Sequence, residues 1–218
     1  MRTGGRTATF TLDDVIAAGV RIGLVELSMQ SVADALGVTT AAIYRHVRSR
    51  SALESLVGEA ILAELHLVDD PAEPLVPHLV GFAGQLRRFT LERPGCARYM
   101  QRLFPRGQSG IRLLEHQITA LGRRGYDPAA ATVLSSAIAT TAIGATVAEQ
   151  DRAALLGSPA VDEALAAMAG SELLRQATAG IPQHTPEDYF VFVLTATAEG
   201  LVAKLPPGGP IPESRAAL

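Results

Sequence analysis

Seven side chains between Thr39 and Arg50 are of types that bind a polyanion: Thr39, Thr40, Tyr44, Arg45, His46, Arg48 and Arg50. They supply hydroxyl, imidazole and guanidinium donors. Such groups hold phosphate oxygens by charge and read base edges by hydrogen-bond pattern. Arg48 and Arg50 also lie just before the start of the next expected helix, whose free N–H groups and positive dipole end favour phosphate.

These residues need a scaffold, and Ser31–Val47 (SVADALGVTTAAIYRHV) has the grammar of one: two short helices meeting at a tight turn. Ser31 reads as the first N-cap, with Asp34 three residues on as an acidic capping box. Val32 and Leu36 fall on one face to be buried. Gly37 supplies the stop that needs positive φ. Thr39 or Thr40 caps the second helix, and Val38, Ile43 and Val47 hold it against the first. Ala33, Ala41 and Ala42 are small enough for close approach, which leaves the polar set facing outward.

The run GVTTAAIYRHVRSRSAL resembles the DNA-binding segment of the TetR family of bacterial repressors. Gly37, Val38, Thr39, Ile43, Tyr44, His46, Val47, Arg48, Arg50 and Leu53 stand in register with that family's turn, recognition helix and basic link. Thr40 stands where Lys is frequent and Ala41 where Gly is common, so the base preference is not carried over. The resemblance implies an all-α protein: an N-terminal three-helix helix-turn-helix domain joined by a fourth helix to a larger helical ligand-binding and dimerisation domain. It implies double-stranded DNA with a palindromic operator, a small-molecule effector and a homodimer as partners.

Composition agrees with such a division. The chain has 218 residues, 48% apolar, with a net charge of −3. Residues 1–50 carry six Arg against four acids, so the remainder is net negative by five. A basic head on an acidic body fits local contact with DNA. A single cysteine, Cys96, excludes an intramolecular disulfide framework. The first residues, MRTGGRTATF, lack an apolar signal core, so a cytoplasmic location is expected. Gly4 and Gly5 suggest a flexible arm carrying Arg2 and Arg6.

The spacing predicts a first helix from Thr11, capped with Asp14, to Leu24, and a fourth from Ser51, capped with Glu54, to Leu67. DDPAEPLVP at 69–77 is a break. The expected division is therefore 1–50 for the DNA-binding domain, 51–68 for a connecting helix, 69–205 for the body and 206–218 for a disordered tail. Within the body, helices are expected over Val76–Glu92, Ala97–Phe104 and Gly110–Arg124, the last with Ile111, Leu114, Ile118 and Leu121 inward. Asp127-Pro128 opens a helix uncharged as far as Glu149, and Thr185-Pro-Glu-Asp188 opens another to Lys204. The first is too rich in Ala, Thr, Ser and Gly for a membrane span and lacks a basic flank. Both are too apolar for a monomer's surface, so they are expected to form a dimer interface that includes Ala142. Residues 151–184 are expected to hold one helix and a loose loop.

The body also resembles the tetracycline-repressor branch. ALESLVGEAILAELH ends on His66, ERPGCARYM on Met100, and ATVAEQDR carries Glu149. That resemblance implies a ligand site of His66, Phe82, Leu86, Met100 and Glu149. Met100 falls at the metal-ligating position, and a thioether suits hard Mg²⁺ poorly. The expectation is an apolar or amphipathic organic ligand, with no metal and no cofactor. His78, His116 and His184 show no partner pattern and are expected at the surface.

The rival classes are a helix-turn-helix activator or DNA-binding module acting through protein contacts, and an enzyme. For the latter there is no nucleophile elbow, glycine-rich phosphate loop, HExxH or paired CxxC in the chain. No catalytic residue is assigned.

Overall fold

The computed structural model describes residues 10–103 and 107–211. The arm with Arg2 and Arg6, and the tail from residue 212, lie outside them. The described residues form α-helices with no strand, and the chain packs as two compact units. One comprises Met1–Leu67 with Glu92–Glu115, the other Val68–Leu91 with His116–Leu218.

In the first unit, α1 (Leu12–Ile22) begins at Thr11 through the expected capping box. The Asp14 N–H donates to Thr11 Oγ1 (3.2 Å), and the Thr11 N–H donates to Asp14 Oδ2 (2.8 Å). α2 (Met29–Leu36) starts earlier than its expected cap at Ser31. Ser28 is the N-cap, and Ser31 at N3 completes the box by accepting the Ser28 N–H at 2.9 Å. Starting there puts Met29 in register with Val32 and Ala33, and all three are buried. Gly37 closes α2 in the left-handed conformation (φ 66°), and the Val38 N–H reaches back to Ala33 C=O at 3.0 Å. α3 (Thr40–Tyr44) is capped by Thr39, whose hydroxyl accepts the Ala42 N–H at 3.3 Å.

α4 (Arg50–Leu62) is capped by Ser49, not Ser51. With Ser49 as the cap, N3 is Ala52 and the expected box is absent; Glu54 instead lies 3.3 Å from Arg102 on α6 (Cys96–Leu103). α4 also ends at Leu62 rather than near Leu67, because Arg112 caps it there. One Arg112 nitrogen donates to the carbonyls of Leu62, Ala63 and Leu65 at 3.3, 3.3 and 3.0 Å.

The second unit is a layer of three long helices, α5 (Leu75–Leu91), α8 (Pro128–Leu155) and α11 (Pro186–Lys204), each packed on the other two. Its core holds Leu79, Phe82, Ala83 and Leu86 from α5, Leu134, Ile138 and Ala142 from α8, and Phe190, Leu194 and Ala198 from α11. α8 begins as expected at Asp127-Pro128, and α11 at the box of Thr185 with Asp188. By length and composition α8 could cross a membrane, but its apolar face is buried among helices of the chain itself. Ala142, expected in a subunit interface, is fully buried within this core.

α7 (Gln108–Gly122) keeps part of its expected inward face, with Leu121 buried and Leu114 and Ile118 half-buried, but is turned so that Ile111 faces out. Ile111 is 42% exposed, while Leu113, Gln117, Ala120 and Leu121 are buried. Where one helix and a loose loop were expected over 151–184, there are two helices beyond the end of α8: α9 (Pro159–Ala169), started by Ser158-Pro159, and α10 (Glu172–Ala179), capped by Ser171. Neither buries any residue in its own chain. Residues 206–209 of the expected disordered tail form a turn closed by the Gly209 N–H on Pro206 C=O (2.9 Å).

Candidate functional site

The polar set of the helix-turn-helix is held outward by an apolar underside. Ala42, Ile43 and Val47 are buried, so Thr39, Tyr44, Arg45, His46, Arg48 and Arg50 are exposed, while Thr40 is half-buried. Thr39 spends its hydroxyl on the cap of α3, so its free contribution is the remaining donor capacity of that hydroxyl. Tyr44 is 52% exposed. Among the described residues Arg45, Arg48 and Arg50 enter no ion pair, so their charge is uncompensated on this face. Ser49, between Arg48 and Arg50, caps α4 and places both arginines at the positive end of a thirteen-residue helix.

His46 has a neighbour that no motif signals. Its ring packs against Phe10, with centroids 4.6 Å apart and planes tilted by 49°. Phe10 immediately precedes the cap of α1, so the start of the chain's first helix packs against a side chain in the turn that follows α3.

The five residues implied as ligand-binding fall in different surroundings. Phe82 and Leu86, one turn apart on α5, are buried in the second unit. Glu149, on α8, accepts a bidentate pair of bonds from Arg87 at 2.9 and 2.8 Å, and the Arg87 guanidinium lies 5.3 Å from the centre of the Phe190 ring. A fork-to-fork pair with a cation–π contact beneath it is among the stronger polar contacts a protein can make. Met100 is buried in the first unit, whereas His66 is exposed, its Nδ1 2.9 Å from Glu64 C=O.

The histidines without a partner pattern require a correction. His184 is exposed, but His78 is only 3% exposed and sits in a polar cluster of the second unit. Its Nδ1 lies 2.9 Å from Asp69 Oδ1, and its Nε2 lies 3.0 Å from the Gln117 amide nitrogen. An amide nitrogen only donates, so Nε2 keeps its lone pair and the ring proton sits on Nδ1, facing the carboxylate. Burial, then the charge of Arg124, pushes His78 down to about 4, although Asp69 opposes this. Burial alone would raise Asp69, but bonds from Arg123 and Arg124 and the charge of His78 hold it at about 2. Arg124 also ties the preceding loop, donating to Glu73 C=O (3.2 Å) and Asp70 C=O (2.6 Å). His116 is half-buried, with its Nε2 enclosed. The proline-rich break hid this cluster: Asp69 reads there as one acid of a linker, yet it is the anchor of the segment.

The first unit thus holds a helix-turn-helix, in a chain whose described residues are otherwise helical. The fold is that of the TetR family of regulators. Apo ActR from Streptomyces coelicolor superposes with a TM-score of 0.76 at 20% identity, covering 94% of this chain and 100% of that one. The Streptomyces coelicolor TetR family protein ActR in complex with actinorhodin gives 0.75 at 22% identity, with 91% and 100% covered. A TetR variant from Acinetobacter baumannii in complex with minocycline gives 0.71 at 22%, with 95% and 100% covered. No family model matches the chain. In sequence, an HTH-type transcriptional regulator of Saccharopolyspora erythraea is 25% identical over 143 residues, which is 64% of this chain and 61% of that protein.

Proposed function

We propose that the protein is a cytoplasmic, ligand-responsive transcriptional repressor of the TetR family, binding a palindromic operator as a homodimer. The observation that carries the reading is the outward face of α3 and the link to α4: Arg45, Arg48 and Arg50 unpaired beside Tyr44 and His46, on a helix-turn-helix closed by Gly37. Arg48, Arg50, Tyr44 and His46 take phosphates, and Thr39, Thr40 and Arg45 lie nearest the bases. Binding of actinorhodin by ActR and of minocycline by the TetR variant supports an organic effector for this chain as well. For the effector we carry forward Phe82, Leu86, Glu149, Met100 and His66, each tested singly. Glu149 is already bonded to Arg87, so a ligand would reach it either at its remaining lone pairs or by displacing Arg87.

For the dimer we propose the outward faces of α8 and α11. Val133, Ser136, Thr140 and Ala148 are exposed on α8, and Tyr189, Phe192 and Ala196 on α11. These faces carry no charge between Pro128 and Ala148, or between Tyr189 and Ala198. An uncharged face with large exposed rings is suited to a second copy of itself.

The test is footprinting of the DNA upstream of the protein's own gene. The expected result is two protected half-sites related by two-fold symmetry, with centres separated by a whole number of helical turns. Protection without symmetry removes the dimer, and absence of protection at low salt removes the DNA-binding reading.

A further inference from the structure

Three consecutive residues of α4 meet three different elements of the first unit. Val57 is fully buried against α1, where Gly19 leaves a notch: a Cβ at Gly19 would overlap the Val57 side chain. Gly58 is itself a notch, and the buried ring of Tyr99, on α6, fills it so closely that a Cβ at Gly58 would overlap three ring carbons. Glu59 accepts the Ser109 N–H on its carboxylate at 2.9 Å and the Ser109 hydroxyl on its carbonyl at 3.0 Å, at the start of α7. The Tyr99 hydroxyl donates to Ser55 C=O (3.4 Å), so the ring spans almost one turn of α4. Burial first, then the charges of Glu59, Cys96 and Glu54, pushes this phenol up to about 12, so it remains a donor throughout the physiological range.

A knob and a notch on adjacent helical residues point about 100° apart. α4 is therefore keyed to α1 by Val57 in Gly19 and to α6 by Tyr99 in Gly58, at the same level along its axis. A packed interface of this kind holds discrete arrangements and does not deform smoothly. Other contacts run parallel to it at the helix ends, Arg102 with Glu54 and Arg93 with Glu64, but these are exposed ion pairs of small weight.

We infer that Tyr99 is a positioning residue for DNA binding: seated on Gly58, it sets the placement of α4, and the Val57–Gly19 contact passes that placement to α1 and the helix-turn-helix packed on it. The inference rests on the DNA-binding reading for its consequence, but the coupling itself concerns only the first unit. It predicts that a displacement of α6 reaches the head through two adjacent side-chain positions.

Gly58→Ala isolates the contact, because Ala is the better helix former and any loss must come from the overlap with the ring. The variants are Gly58→Ala, Tyr99→Leu and the double variant, in the full-length protein. The first readout is affinity for the DNA upstream of the protein's own gene, by fluorescence anisotropy. The second is amide hydrogen exchange in α1 and α4, against α5, α8 and α11 as an internal reference. Gly58→Ala should weaken DNA binding about tenfold, within the usual range of coupling between sites. Adding Tyr99→Leu makes room for the new methyl and should restore affinity to within about threefold. Tyr99→Leu alone should speed exchange in α4 and α1 while leaving α5, α8 and α11 unchanged.

Unaltered affinity in Gly58→Ala, or a double variant no better than the single one, overturns the inference. If Gly58→Ala does not fold, Tyr99→Leu decides by exchange alone: a rise in α2 and α3 as large as in α4 and α1 makes Tyr99 an ordinary core residue of the first unit. If the unmutated protein binds no DNA, the DNA-binding reading fails, and the exchange pattern still decides whether Tyr99 couples α6 to α1 through α4.

Discussion

The outward faces of α3 and of α8 belong to helices anchored by similar apolar undersides, yet they are suited to different partners. On α3 and its link the exposed groups are Tyr44, Arg45, His46, Arg48 and Arg50, with no ion pair among the described residues to neutralise the arginines. On α8 they are Val133, Ser136, Thr140 and Ala148, and α11 adds Tyr189 and Phe192, the latter 70% exposed. A cationic face with hydrogen-bond donors gains most from phosphate, by releasing the counterions around the nucleic acid. An uncharged face gains most from removal of its apolar area from water. On the proposed reading, the DNA-binding face and the dimer face belong to different units of the chain.

The comparison can be broken most severely on α8 and α11. Ala142→Glu places a carboxylate in the core of the second unit, where nothing compensates it. A loss of about 3–5 kcal/mol is expected, read as a collapse of the thermal transition or as insoluble protein. Phe192→Glu puts the same charge on the exposed face. It should leave the melting of the isolated protomer nearly unchanged but shift the sedimentation coefficient from dimer to monomer at micromolar concentration. Equal damage from both substitutions would mean that the two faces of these helices are not distinct.

The polar cluster of the second unit gives the next effect. His78 titrates at about 4 when folded against an ordinary 6.5, so the unfolded chain takes up its proton first. Stability therefore falls as pH drops from 6.5 to about 4, by on the order of 3 kcal/mol in total for this group. Asp69, held at about 2 against 3.8, loses its own contribution only as pH falls below about 3.8. Urea midpoints measured from pH 7 to 4 should decline, and His78→Gln should flatten the decline in that window. An unchanged slope in the variant would remove His78 from the account.

Smaller again is the effect of Arg45→Ala. If Arg45 bonds a guanine edge, its loss should cost about 1–3 kcal/mol on the cognate sequence and far less on a scrambled one. A uniform loss across sequences would reassign it to the backbone-contacting group with Arg48 and Arg50.

Much of the architecture was legible because it is written in local signals. Thr11 with Asp14, Thr185 with Asp188, and Asp127 before Pro128 start helices in the structure as in the sequence, since a cap joins groups three residues apart. The two displaced caps arose where serines repeat, at Ser28 and Ser31 and at Ser49 and Ser51. In the first case the earlier start buries Met29, and in the second the Ser49 hydroxyl accepts the Ala52 N–H, which leaves Glu54 beyond the N3 position that a capping box needs. α9 and α10 were underread, although Ser158-Pro159 and Ser171 are usable start signals. The side-chain partners of Glu149 and His78 were illegible for a different reason. Arg87 lies 62 residues from Glu149, and Gln117 lies 39 from His78, and helical periodicity says which face is buried but not against what.

The most direct test of the central claim, that the exposed face of α3 and its link binds DNA, is the salt dependence of binding by the unmutated protein and by Arg50→Ala. The DNA upstream of the protein's own gene is titrated between about 50 and 200 mM salt, the range over which phosphate contacts weaken steeply. The account predicts a linear fall of log affinity with log salt, with a slope smaller by about one unit for Arg50→Ala, and weaker binding of that variant to every sequence tried. Identical slopes and affinities for the two proteins would contradict it.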